Sequence, residues 1–193
     1  ARFHATAPPR PMGPRTYVAR LERRIRVNRR ALAARAWGLN AASVSQACAL
    51  QERFVAEARQ LLGPRGRRVA EVHGDLRPEH VYLGPSVCVI DCLEFDRNLR
   101  TLDPLEEIAF LALECRLLGA PRLAARLVAA YRQASGDAAP EALLLFYMGC
   151  RAITRAKLAA WHLRNRAGID AGRWRDRAQR YLKCVYYGNA KAH

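Results

Sequence analysis

Apolar positions along the chain change their period twice. From 16 to about 37 the residues Val18, Leu21, Ile25 and Leu32 recur on one helical face, with Arg20, Arg23, Arg24 and Arg30 off that face. A second helix is expected from 41 to 62, ended by Gly63-Pro64. The period then shortens. Residues 69–72, 80–83 and 87–90 are brief β-prone runs set apart by Gly74, Pro78, Gly84 and Pro85. Helical spacing returns at Asp103-Pro104, where an aspartate cap, a first-position proline and Glu106 mark a start, and Gly119 marks the end. Further helices are expected at about 121–135, 140–165 and 170–186, with Gly168 between the last two. Residues 1–15 carry Pro8, Pro9, Pro11 and Pro14 and read as an irregular start, leaving 16–190 as one domain. The expected fold class is therefore α+β and mainly helical, with a small β-hairpin insert whose loops are the natural place for chemistry.

Composition narrows the class. With 51% apolar and 26% charged residues in 193, the chain can bury a real core. No apolar run approaches the roughly eighteen residues of a membrane span, and the start has no apolar signal core, so a cytoplasmic protein is expected. The first residue is Ala rather than Met, which reads as a processed, trimmed or fragmentary start. Six cysteines without a C-x-x-C pair fit a reducing compartment, and Cys88 with Cys92 lacks the second ligand pair that zinc needs. The formal charge of +16 is compatible with a polyanionic partner. Of the 33 basic residues, however, all but Lys157, Lys183 and Lys191 are arginines, which points to a GC-rich coding sequence. No stacking-aromatic or nucleic-acid motif accompanies the charge, so nucleic acid is not the favoured partner.

The chemistry concentrates in the β region. Asp75 follows a strand, and Asp91 ends another, eleven residues after His80. Two carboxylates on opposite sides of a hairpin can converge on one point, as phosphoryl transfer requires: one orients a hydroxyl and the other holds magnesium on nucleotide phosphates.

The segment His73-Gly74-Asp75-Leu76, with Pro78, resembles the H-G-D-L-x-P catalytic loop of aminoglycoside phosphotransferases and choline-kinase-like small-molecule kinases. Ile90-Asp91 followed by Glu94-Phe95 is similar to their I-D-F-E metal-binding segment. The wording around both motifs is closest to a branch some of whose members are fused to a P-loop ATPase domain. The resemblance runs from about Ala1 to about Arg164 and implies a protein-kinase-like C-terminal lobe. It also implies ATP and magnesium as cofactors. Asp75 would be the catalytic base or hydroxyl-orienting group, and Asp91 the main magnesium ligand. His80 stands where the family places an asparagine for the second magnesium, and an imidazole is a softer ligand than an amide oxygen. Arg77 would neutralise charge on the transferred phosphoryl group. His73, Gly74 and Glu94 would support the loop, with His73 hydrogen-bonding inside it.

Kinases of this kind also carry a glycine-rich turn, a strand lysine and a paired helix glutamate. No lysine precedes Asp75, so the chain is expected to begin where an ATP-holding N-terminal lobe ends. Two functions follow: phosphotransfer to a hydroxyl of a small acceptor, or a degenerate lobe that binds a partner chain or polyanion. The positive charge favours a neutral or anionic acceptor over a polycation, despite the acidic cluster Glu106, Glu107 and Glu114, for which a buried or capping helix accounts. On the helix after 140, Trp161 is expected in the core and His162 at the surface, with Arg151 and Arg155 solvated.

Overall fold

A computed structural model describes residues 2–34, 37–165 and 170–187. Arg35, Gly168 and the end of the expected domain at 188–190 lie outside the described residues. The element order is α1 (Arg2–Ala5), α2 (Pro14–Leu32), α3 (Ala41–Glu57), α4 (Arg59–Leu62), β1 (Ala70–Glu71), β2 (Val81–Leu83), β3 (Val87–Val89), α5 (Arg97–Arg100), β4 (Thr101–Leu102), α6 (Pro104–Leu117), α7 (Pro121–Ser135), α8 (Glu141–Asn165) and α9 (Ala171–Tyr187). The chain is mainly helical, as the apolar periodicity predicts, and carries two small antiparallel sheets where a single hairpin is expected.

Local chemistry sets most boundaries. Pro14 opens α2 at a position where its missing N–H costs nothing, and Tyr17, Val18, Leu21, Ile25 and Leu32 face inward. The Asn40 side chain caps α3 by accepting from the Ser43 N–H. The expected helix over 41–62 is broken at Ala58, and Gly63-Pro64 does not end it. Those residues instead open a 3₁₀ turn, Gly63–Arg68, which leads into β1. Gly119 and Gly136 close α6 and α7 with positive φ, 81° and 62°.

α6 organises the core. All eleven residues from Leu105 to Cys115 are buried, because α7 and α8 pack on it from either side. α8 in turn lies along α9 and contacts α2 and α3. The start of α6 is fixed by a buried polar network. Asp103 caps the helix through the Leu105 N–H (3.0 Å) and takes both Nε and Nη2 of Arg65 (2.6 and 2.7 Å). Arg65 also forks onto Asp137 (2.8 and 2.7 Å), while Tyr147 donates to Asp103 (2.8 Å) and meets the Tyr17 hydroxyl (2.7 Å). A buried ion pair of this sort is tolerable only because its lone pairs are used up. Here it welds α2, the 3₁₀ turn, α6 and α8 at one point.

The strands are shorter than expected, and one was not foreseen. β2 and β3 form a hairpin with Val81 opposite Val89 and Leu83 opposite Val87. β1 pairs with β4, Ala70 opposite Leu102, and Pro9 adds a bridge to Ala70, so part of the proline-rich start is ordered against the sheet. Cys48, Cys115 and Cys150 are buried, Cys88 and Cys92 are exposed, and none of the described cysteines is in a disulfide. No helix among the described residues is long and apolar enough to cross a membrane.

Candidate active site

The loop between β1 and β2 is held from below by backbone contacts that only its own sequence permits. Gly74 has φ +88°, and a Cβ there would lie 3.0 Å from Arg100 Cα and from Leu93 Cδ1. Its N–H donates to Glu107 Oε1 (2.6 Å), and its carbonyl accepts from Arg151 Nη1 (3.0 Å). The other oxygen of Glu107 meets His4 Nε2 at 2.8 Å. A buried carboxylate from α6 and a largely covered guanidinium from α8 thus grip the backbone of one glycine.

His73 is buried and hydrogen-bonds both within its own loop and across to the segment after β3. Its Nδ1 accepts from the Asp75 N–H (3.3 Å), so Nε2 carries the proton and donates to the Ile90 carbonyl (2.7 Å). The Leu93 N–H returns to the His73 carbonyl (3.1 Å). These bonds lay the segment after β3 against the loop after β1.

His80 completes that junction. Its Nδ1–H donates to the Asp75 carbonyl (2.9 Å), leaving the Nε2 lone pair to accept from Arg77 Nη2 (2.9 Å). Asp91 Oδ2 stands 3.3 Å from the same Nε2. Both ring nitrogens are therefore engaged, so His80 locks the loop and does not present a vacant ligand position. Asp91 has φ +61°, the one non-glycine residue in the left-handed region among those described, and its side chain is 74% exposed. Strain of that kind is sustained by the surrounding bonds and recurs where a side chain must be aimed.

Asp75 is gripped by arginines. Arg77 Nε reaches Oδ2 at 3.0 Å, while Oδ1 sits 3.7 Å from Arg155 Nη1. Arg77 also pairs with Glu79. Glu94 is exposed, with its carbonyl accepting from Arg100 Nη1 (3.4 Å) and no ion pair to its carboxylate among the described residues, whereas Asp96 caps α5 through the Asn98 N–H (2.8 Å). Asp75, Arg77, His80 and Asp91 are brought together, with His73 and Gly74 beneath them. Glu94 is not drawn in.

The support from α8 and α6 departs from expectation. Arg151 and Arg155 are not solvated but turn inward, Arg151 onto Gly74 and Glu106 Oε1 (2.9 Å) and Arg155 onto Asp75. Two arginines one turn apart in an otherwise apolar stretch were the available signal. Trp161 is not in the core, being 45% exposed, and His162, exposed as expected, stacks on Trp174 at 3.9 Å. Glu106, Glu107 and Glu114 are all buried, which agrees with the reading of a buried helix. Burial pushes the Glu106 carboxyl up, but Arg24 (2.7 Å) and Arg151 outweigh it and hold its pKa below the usual carboxylate value. Glu114 is raised, because burial outweighs the Tyr181 hydroxyl (2.8 Å) and the more distant Arg155.

As a metal site the arrangement is sparse. Among the described residues no three His, Cys, Asp or Glu side chains gather around a common point. Asp91 offers an accessible carboxylate beside the loop, and the exposed Glu79 lies in the loop but is paired with Arg77. Such a site fits magnesium, which keeps waters and phosphate oxygens in most of its shell, and fits zinc poorly.

No protein-family model matches the chain. Over 91 residues, 47% of the chain, it is 38% identical to uncharacterized proteins of Mycobacterium tuberculosis and of Mycobacterium bovis. The matched stretch spans 18% of the length of those relatives, so the likeness is to a small part of much longer proteins.

Proposed function

We propose that the chain is the catalytic and acceptor-binding lobe of an aminoglycoside-phosphotransferase-like kinase, transferring phosphate from ATP to a hydroxyl of a small molecule. The observation that carries this reading is the His80 junction. One imidazole bonds the backbone of Asp75 and the guanidinium of Arg77 and stands 3.3 Å from the carboxylate of Asp91, so both acids lie beside the same ring.

At that junction Asp75 Oδ2 is occupied by Arg77, and Oδ1 keeps lone pairs for an acceptor hydroxyl. In the transfer, the acceptor oxygen bonds to the γ-phosphorus as the bond to the β,γ-bridging oxygen breaks. ADP departs with that oxygen, and the hydroxyl proton passes to Asp75. Arg77, already beside Asp75, offsets negative charge on the phosphoryl oxygens. Asp91 would hold magnesium, which supplies charge neutralisation on the nucleotide phosphates. His80, bonded to Asp75 and Arg77, holds the loop beside Asp91 and is not itself a ligand.

Calorimetric titration with magnesium-ATP, beside an Asp91→Ala variant, tests the reading. Binding that is lost in the variant supports it, and binding that survives unchanged refutes the role of Asp91. Absence of binding to the chain as it stands favours the second reading, a degenerate lobe serving a partner chain. That alternative has its own observation: Leu83 (83% exposed), Val87 and Phe95 (82% exposed) form an uncovered apolar edge on the hairpin and the segment after it.

A further inference from the structure

Between α8 and α9, opening beside the catalytic loop, lies a cleft of about 400 Å³ lined by Arg77, Arg155, Trp161, His162, Trp174 and Arg177. Its charged and ring-bearing lining is cationic and aromatic, with Leu158 and Ala159 as the aliphatic part of the wall. Trp174 is braced by the His162 ring (3.9 Å, 17° between planes) and by the Arg177 guanidinium at 5.6 Å. Trp161 meets Lys157 at 5.0 Å and keeps 45% of its surface open to solvent. Arg77 and Arg155 are the two residues that touch the Asp75 carboxylate, so the floor of the cleft is continuous with the reacting groups. Arg177 pairs with no carboxylate among the described residues, and its charge is available to an incoming group. Burial with acids is the usual fate of an arginine near a core. Here the carboxylates are drawn to one end, and the far end is left positive.

We infer that this cleft binds a planar aromatic ring carrying an anionic group, with the ring against Trp161 and the anion at Arg177, which places a ring hydroxyl toward Asp75. Indole faces favour planar partners, and guanidinium groups favour carboxylate or phosphate oxygens. A cleft of this size suits one or two fused rings and excludes a polycationic oligosaccharide on charge. That the bound molecule is the phosphate acceptor rests on the phosphotransfer reading, but the binding itself does not.

The test is calorimetric titration of the full chain with three probes sharing one ring system: 6-hydroxy-2-naphthoate, 2-naphthyl phosphate and 2-naphthol. The two anions are expected to bind at least about tenfold more tightly than the naphthol, the scale of one charge-assisted hydrogen bond. Arg177→Gln should weaken the anions about tenfold and leave the naphthol alone. Arg126→Gln, which removes the same charge from an exposed position on α7, should change nothing. Preference for one anion over the other separates a carboxylate site from a phosphate site. Equal binding of all three probes, no binding of any, or an equal loss in the Arg126 variant would each overturn the inference. Anion binding in a chain that takes up no magnesium-ATP keeps the cleft and sinks the kinase reading, and the reverse result does the opposite.

Discussion

At Gly74 a positive φ coincides with close approach on two sides, by the backbone of Arg100 and by Leu93. Gly74→Ala is expected to destabilise the chain by about 1–3 kcal/mol, the cost of a strained backbone plus displaced neighbours, read from urea unfolding. Asp91 presents the reverse case. It occupies a left-handed conformation that costs a side chain about 1 kcal/mol and a glycine almost nothing. Asp91→Gly should therefore raise the unfolding midpoint while removing magnesium-dependent nucleotide binding. A variant both less stable and inactive would mean that the residue serves packing, whereas stability gained with affinity lost marks a position where strain is kept for function.

Among the elements, α6 shows what a sequence can and cannot disclose. Its start was legible because Asp103, Pro104 and Glu106 each have a local reason to be there, and its end because Gly119 has one too. The partners of its acids were not legible. Arg24, Arg65 and Arg151 come from three other segments, and nothing in 3.6-residue spacing says which of many arginines will turn inward. β4 was missed for a related reason, since a two-residue strand carries no period and exists only because β1 lies beside it. In the site, Asp75 and Asp91 were legible as a pair through their motifs, while the clamp on Gly74 from Glu107 and Arg151 depends on tertiary packing alone. The opposed shifts on α6 give this element a pH signature. Glu106 is held below its ordinary value of 4.5, so its stabilising contribution is complete above that value and is lost as pH falls through the lower folded value. Glu114 is held above 4.5, so acid relieves its burial and acts in the other direction. In unfolding curves taken from neutral pH into acid, Glu106→Gln should flatten the loss of stability, and Glu114→Gln should steepen it. Equal slopes in both variants and the parent would contradict the assignment.

For the molecule as a whole, the excess of arginine is only partly a surface matter. Arg24, Arg65, Arg77, Arg151 and Arg155 all have largely covered side chains that meet acids, so part of the formal +16 is spent inside the fold as connecting material between helices. The proline-rich start belongs to the same scheme. Arg10 N–H donates to the Val69 carbonyl, Pro8 accepts from Glu71, and His4 reaches Glu107, 103 residues further along the chain. That last separation has a kinetic meaning. A contact spanning so much chain forms only after a large loop has closed, whereas the α2–α3 pair needs only neighbouring sequence. The topology predicts that the helices acquire protection first and the Gly74 amide among the last, which pulse-labelled hydrogen exchange during refolding can time. The chain would then pass through a stage in which its helices are formed and the Gly74 loop is not yet clamped, and the segment around His4 would be among those that bring that stage to an end.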